Sequence, residues 1–154
     1  MAALEFTLNG QAVTTDADGD TPLLYVLRNA FGATSVRFGC GLEQCGCCAV
    51  LVDGRKTYAC AAAVSTVAGK AVETVEGMGA VEAPGPIQAA FLAEQAGQCG
   101  YCLSGLLIAT KALLAANPKP SRADIVAALD DHLCRCGAHT RIVRAVERAA
   151  EALS

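Results

Sequence analysis

Nine cysteines in a chain of 154 residues constrain the fold more than any other feature. They form one group between positions 40 and 60 and a second between positions 99 and 136, and residues 61–98 contain none. A disulfide framework is disfavoured, because nine is an odd number and the first residues do not resemble a secretion signal. Grouped cysteines in such a chain indicate metal binding or redox chemistry.

The first group has the spacing of a plant-type ferredoxin. Cys40, Cys45 and Cys48 follow the pattern C-x4-C-x2-C, and Cys60 is available as a distant fourth ligand. Glycines in and beside this segment let the backbone approach a metal centre and direct its N–H groups inward. Structural zinc sites prefer two short C-x2–4-C pairs, and this group has one. The spacing therefore predicts a 2Fe–2S cluster.

Cys47 is the ninth cysteine and competes with its neighbour Cys48 for a ligand position. Adjacent residues in an extended segment point in opposite directions, so both cannot face the same iron. Ligation by Cys47 would change the pattern to C-x4-C-x-C, which departs from the ferredoxin spacing. We predict that Cys48 is the ligand and that Cys47 is a small, buried apolar residue.

The second group consists of two close pairs, Cys99 with Cys102 and Cys134 with Cys136. Two converging pairs can make a site with four thiolates. A C-x2-C motif at the start of a helix is also typical of a redox dithiol, and zinc can bind such pairs as well. The residues therefore indicate metal binding, with iron–sulfur, zinc and a dithiol as alternatives.

Composition excludes several classes of function. The formal net charge is −3 and there is no run of basic residues, so we expect no nucleic-acid partner. The longest uncharged stretch, 95–110, is too short and too polar to enter a membrane. The first ten residues lack the basic and apolar regions of a signal peptide. We therefore expect a cytoplasmic location, with periplasmic export alongside a signal-bearing partner as the alternative.

Hydrophobic periodicity predicts an α+β fold with strands first and helices later. The predicted strands are 4–8, 11–14, 49–52, 56–59 and 72–75, and the predicted helices are one from Pro22 and four at 86–94, 103–116, 122–129 and 141–153. Glycine and proline cluster between the two parts. We predict a first domain at 1–77, a linker at 78–86 and a helical domain at 87–154. Tyr25 and Phe31 are predicted to be core residues.

Three motifs in fixed order carry a resemblance over the whole chain: the segment 39–54 around the first cysteines, Gln98–Cys102, and Leu133–Gly137. Together they resemble the small iron–sulfur subunit of molybdenum hydroxylases, the xanthine dehydrogenase family. Residues 137–142 are most similar to the branch with the nicotinate dehydrogenase small subunit and the isoquinoline 1-oxidoreductase α subunit. The resemblance implies a plant-type ferredoxin-like β-grasp domain followed by a four-helix domain, with one 2Fe–2S cluster in each.

The resemblance also implies a function and a ligand set. The chain would relay electrons one at a time from molybdenum with a pterin cytosine dinucleotide, held on a large partner subunit, to a cytochrome, a flavin subunit or another acceptor. The substrate would be an N-heteroaromatic compound or an aldehyde, converted on the partner. The implied ligands are Cys40, Cys45, Cys48 and Cys60 for one cluster and Cys99, Cys102, Cys134 and Cys136 for the other.

Gln98 would contact the pterin by the same resemblance. His132 and His139 flank the last cysteine pair, but eight cysteines already fill two sites, so we expect no histidine ligand and place His132 at a helix end or an interface.

Two other classes of function stay open. One is a ferredoxin that acts without a large subunit, and the other is an interaction module stabilised by zinc.

Overall fold

A five-stranded mixed sheet forms the first half of the chain. The computed structural model describes residues 3–154. Its strands are β1 Leu4–Leu8, β2 Gln11–Thr15, β3 Ala49–Val52, β4 Arg55–Tyr58 and β5 Ala71–Glu73. They lie in the order β2-β1-β5-β3-β4. The β1–β5 pair is parallel and the other pairs are antiparallel.

Local sequence explains the first hairpin and the first helix. Strands β1 and β2 are joined by Asn9 and Gly10, both of which have positive φ, as a two-residue hairpin turn requires. Helix α1, Leu23–Asn29, follows Pro22 and buries its leucines under the sheet.

The prediction for Tyr25 was wrong. Tyr25 is 43% exposed because it lies on the outer face of α1, where it stacks on Phe38 with ring centroids 6.3 Å apart. Phe31 is half-buried and packs edge-on against Phe6.

Four further helices follow in the second half of the chain. They are α2 Pro86–Ala93, α3 Leu103–Ala116, α4 Arg122–Leu129 and α5 His139–Ala152. Ser121 caps α4, because its hydroxyl accepts the N–H of Asp124 and the Asp124 carboxylate accepts the N–H of Ser121 in return. This reciprocal pair is a capping box in which aspartate replaces the usual glutamate. Helix α5 begins two residues earlier than predicted.

The helices and the sheet pack directly against each other. Ile108 of α3 is fully buried against Ala49 and Leu51 of β3. Lys111 of α3 also forms an ion pair with Glu73 of β5. The structure thus confirms a mixed fold of one sheet and five helices. No helix within residues 3–154 is long and apolar enough to cross a membrane.

Candidate metal centres

The first cysteine loop directs backbone N–H groups at its own sulfurs. The Sγ atom of Cys40 accepts the N–H of Leu42 at 3.3 Å and that of Gln44 at 3.2 Å. The Sγ atom of Cys45 accepts the N–H of Cys40 at 3.3 Å. Slight burial raises the pKa of the Cys40 thiol, but these hydrogen bonds outweigh it and bring the pKa down to about 7. The loop therefore favours the thiolate, which is the form that binds metals.

Strand pairing brings Cys48 and Cys60 together. Cys48 directly precedes β3, Cys60 follows β4, and the N–H of Ala59 donates to the carbonyl of Cys48 at 3.1 Å. Burial raises the pKa of Cys48 to about 12, and the Cys60 thiol hydrogen-bonds with it. Cys48 therefore keeps its proton at pH 7, and a metal would replace that proton. The first four cysteines thus form the pairs Cys40–Cys45 and Cys48–Cys60.

The second group of cysteines lies where two helices begin. Cys99 and Cys102 precede α3, while Cys134 and Cys136 precede α5. Cys99 hydrogen-bonds with Cys136, and the pKa of Cys99 is lowered mainly by the backbone N–H of Tyr101. Cys102 hydrogen-bonds with Cys134, and burial raises the pKa of Cys102 to about 12. These four cysteines also form two pairs.

The paired arrangement fits a cluster with two irons. A 2Fe–2S centre takes two thiolates on each iron, and each group of four cysteines supplies two contacting pairs. The N–H groups that point at the sulfurs fit the negative charge of such a cluster. Within residues 3–154, no group of three or more histidine, cysteine, aspartate or glutamate side chains is arranged around a single metal ion.

Cys47 is the one cysteine outside the two sets of four. Its side chain is buried in the core of the helices, whereas Cys48 is buried in the core under the sheet. The structure confirms that the two neighbours point in opposite directions and that Cys47 is a small buried residue. Burial and the nearby Cys45 raise the pKa of Cys47 to about 12, so it is a neutral thiol.

The two cysteine loops contact each other directly. The N–H of Leu133, next to Cys134, donates to the carbonyl of Cys45 at 3.1 Å. The His132 ring is 2% exposed and lies against the backbone of Gly46, where a side chain would overlap it. His132 lies three residues after the end of α4, and its N–H donates to the carbonyl of Leu129. His139 is exposed at the start of α5.

A polar cluster beside His132 was missed by the sequence reasoning. The Lys56 ammonium lies 2.7 and 2.8 Å from the two carboxylate oxygens of Asp131 and 3.3 Å from Nε2 of His132. The Tyr58 hydroxyl also donates to Asp131. Burial, followed by the charge of Lys56, lowers the pKa of His132 to about 4. His132 is therefore neutral at pH 7. No sequence motif indicated that β4 would lie beside residues 131–132.

Gln98 lies beside the last cysteine pair, at the edge of a cavity. Its side-chain amide donates to the carbonyl of Cys136 at 3.4 Å. The cavity has a volume of about 300 Å³, and its side-chain lining comes from Gln95, Gln98, Thr140, Arg141 and Arg144. Two arginines and two amides make this surface suited to a polar or anionic group.

Comparison with known families defines the class of protein. Residues 6–75 match the family model of the 2Fe-2S iron-sulfur cluster binding domain, and residues 74–147 match that of the 2Fe-2S binding domain. Together the two matches cover both cysteine groups. The chain is therefore an iron–sulfur protein of the 2Fe–2S class.

Individual relatives show to which family within the 2Fe–2S class the chain is most similar. The chain is 46% identical to one subunit of nicotinate dehydrogenase from Pseudomonas putida, over 96% of this chain and 94% of that one. It is also 46% identical to the alpha subunit of isoquinoline 1-oxidoreductase from Brevundimonas diminuta, over 96% and 97%. Among solved structures, it superposes on quinoline 2-oxidoreductase of Pseudomonas putida with a TM-score of 0.94 at 32% identity, covering 99% of this chain and 95% of that one.

An aldehyde oxidoreductase from Desulfovibrio desulfuricans superposes with a TM-score of 0.95 at 38% identity. Here 99% of this chain matches 17% of the other, so the same fold is one part of a longer polypeptide. The chain belongs to the small iron–sulfur subunits of the molybdenum hydroxylases. The family resemblance expected from the motifs is confirmed.

Proposed function

We propose that the chain relays electrons one at a time from a molybdenum centre on a large partner subunit to an external acceptor. The observation that carries this proposal is the arrangement of eight cysteines as two groups of paired thiols. The N–H of Leu133, next to Cys134, donates to the carbonyl of Cys45, so a backbone hydrogen bond connects the two groups. A short link between two one-electron centres suits sequential transfer.

The eight paired cysteines are the proposed ligands. The first cluster would bind Cys40, Cys45, Cys48 and Cys60, and the second would bind Cys99, Cys102, Cys134 and Cys136. Each 2Fe–2S cluster, when bound, takes up and releases one electron. The protein's part is to hold the thiolates in pairs and to donate N–H groups to their sulfurs, as Leu42 and Gln44 do at Cys40.

We also propose the domain layout expected from the sequence. It has a β-grasp ferredoxin-like domain at 1–77, a linker at 78–86 and a four-helix domain at 87–154. The positions of the elements support it, because all five strands precede residue 77 and α2–α5 all begin at or after Pro86. The two family matches also meet near residue 75.

In this proposal, Gln98 and its cavity mark the side of the chain that receives electrons. The cavity at Cys136 would face the molybdenum–pterin cytosine dinucleotide of the large subunit, with Gln98 touching the pterin. The loop at Cys40 would face the acceptor, a cytochrome or flavin protein. The names of the relatives support an N-heteroaromatic substrate, with an aldehyde as the second choice. The cytoplasmic location stays a prediction.

The test is metal analysis and low-temperature EPR of the chain purified with its native partners. The proposal predicts about four irons and four acid-labile sulfides per chain, with two distinguishable signals after dithionite reduction. A molybdenum-containing subunit should co-purify. Zinc in the second site with one ferredoxin-like signal would contradict the relay. Two signals in a chain that purifies alone would instead indicate a ferredoxin that acts without a large subunit.

A further inference from the structure

The loop that carries Cys99 and Cys102 is held in place by residues that precede the other cysteine loop. Cys99 is exposed and Tyr101 is 48% exposed, so this loop has little packing of its own. The Arg37 guanidinium donates to the carbonyl of Gly100 at 2.6 Å. The Tyr101 hydroxyl donates to the carbonyl of Phe38 at 2.5 Å. Residues 37 and 38 therefore clamp the second loop.

Arg37 is well placed for this task. Its guanidinium carbon lies 5.3 Å from the centroid of the Tyr101 ring, within the range of a cation–π contact. The backbone N–H of Arg37 donates to the carbonyl of Cys47 at 3.4 Å, and this bond fixes the backbone from which the side chain extends. In the described part of the chain, Arg37 forms no ion pair with a carboxylate. Its guanidinium therefore contacts the second loop rather than a carboxylate.

The contact with Gly100 controls the direction of the next N–H group. A trans peptide is planar, so its C=O and N–H point in opposite directions. The Gly100 carbonyl accepts from Arg37 and from the N–H of Leu103, which turns the N–H of Tyr101 the other way. That N–H forms a backbone hydrogen bond to the Cys99 side chain. Arg37, the peptide and the sulfur thus form one chain of hydrogen bonds, which polarise each other.

We propose that Arg37 is a positioning residue that raises the reduction potential of the Cys99–Cys136 centre by holding the Tyr101 N–H on the Cys99 sulfur. This inference rests on the proposed function. Hydrogen bonds to cluster sulfurs favour the reduced, more negative state. The Cys40 sulfur receives its N–H groups from Leu42 and Gln44, within its own loop. The Arg37 hydrogen bond therefore acts on the second centre alone, whereas its charge acts near both cysteine groups.

The experiment is an EPR-monitored redox titration of the complex purified with its native partners. The variant Arg37→Met should shift the midpoint potential of the second centre to a more negative value, and by clearly more than that of the first centre. The more conservative Arg37→Lys keeps the charge but ends one bond short of the guanidinium nitrogens, so the same centre should shift less. A Cys48→Ala variant assigns the two signals by removing one of them.

Arg28→Met is the matched control. Arg28 also donates to backbone carbonyls, those of Thr34 and Val36, and does not reach the second loop. Arg28→Met also removes one positive charge, but it should not shift the midpoint potential of the second centre more than that of the first. Equal shifts of both centres in Arg37→Met, or no shift at all, would overturn the proposal. If Arg37→Met fails to retain iron, the same comparison in Arg37→Lys decides.

Failure of this inference is separable from failure of the proposed function. If the wild-type complex lacks two centres by iron analysis and EPR, the relay itself is wrong. If it has both centres and substitution of Arg37 changes neither midpoint potential, only the role proposed for Arg37 is wrong.

Discussion

Cys47 and Cys48 are adjacent and chemically identical, yet their side chains enter different cores. The sequence predicted this difference, because the ferredoxin spacing selects Cys48 and the extended backbone sends Cys47 to the opposite side. The exposure of Tyr25 could not be predicted in the same way. Its helical spacing was compatible with the core, and only the position of the Phe38 loop shows that α1 turns Tyr25 outward.

The variants Cys47→Ala and Cys48→Ala should therefore behave differently. Cys47→Ala removes a neutral buried thiol and should retain about four irons per chain, whereas Cys48→Ala should retain about two. Iron and sulfide analysis of the purified complexes measures this. The ligand assignment would be wrong if Cys47→Ala lost iron and Cys48→Ala kept it.

The bounds of two helices were predicted most accurately. Helices α3 and α4 have the predicted bounds, because the residues at their starts form recognisable caps or turns. The loop before α5 is different. Its backbone is tied to the cysteine turn, where the N–H of Gly137 donates to the carbonyl of Cys134, and α5 begins at His139 rather than at Arg141. Local propensity does not contain that constraint.

Ser121 should contribute to stability through the cap of α4. Replacing it with alanine removes the hydroxyl that accepts the N–H of Asp124, at a cost of about 1 kcal/mol in the free energy of unfolding. Ser121→Gly is the control and should cost only a few tenths of a kcal/mol. Urea unfolding followed by circular dichroism compares the two. Equal losses would argue against a capping role.

Glu76 connects the end of the first half to the segment that leads into the first cysteine loop. Its carboxylate accepts the N–H and hydroxyl of Ser35 at 2.9 and 2.6 Å and the hydroxyl of Thr74 at 2.6 Å. Burial raises the pKa of this carboxyl, but the hydrogen bonds outweigh it and the net pKa is lowered. The stabilisation is therefore complete above the ordinary pKa, near 4.5, and is lost as the pH falls through the lowered value.

The variant Glu76→Gln should make unfolding less dependent on pH. It should be less stable than the wild type at pH 7, and the difference should shrink as the pH falls below 4.5. Urea unfolding at several pH values measures this difference. The exposed Glu82→Gln is the control and should follow the wild-type profile. A constant difference between Glu76→Gln and the wild type at all pH values would show that the charge is irrelevant.

Across the whole molecule, the two halves meet where Gly46, Gly105 and His132 come together. A side chain at Gly46 would overlap the His132 ring, and one at Gly105 would overlap the Gly46 carbonyl. The cysteine spacing predicted each loop separately. It could not predict this junction, because the contact depends on how α3 and residues 132–134 pack against a loop that is distant in the sequence.

Gly46→Ala should destabilise the junction. Gly54 provides a matched control, since both glycines have φ of +76° but a side chain at Gly54 would meet open space. Gly54→Ala measures the backbone strain alone, and Gly46→Ala should cost about 1–3 kcal/mol more because of the overlap with His132. Chemical unfolding of both variants gives this difference. Equal costs would mean that the His132 ring moves aside freely.

The close approach of α3 at Gly105 has a consequence for how this chain can evolve. A side chain at Gly105 would meet the Gly46 carbonyl and one at Gly46 would meet the His132 ring, so we expect these three positions to tolerate substitution only in combination. A chimaera that joins residues 1–77 of one relative to residues 78–154 of another would combine two surfaces that did not evolve in contact with each other. Recombination within this family is therefore best tolerated when positions 46, 105 and 132 come from the same parent.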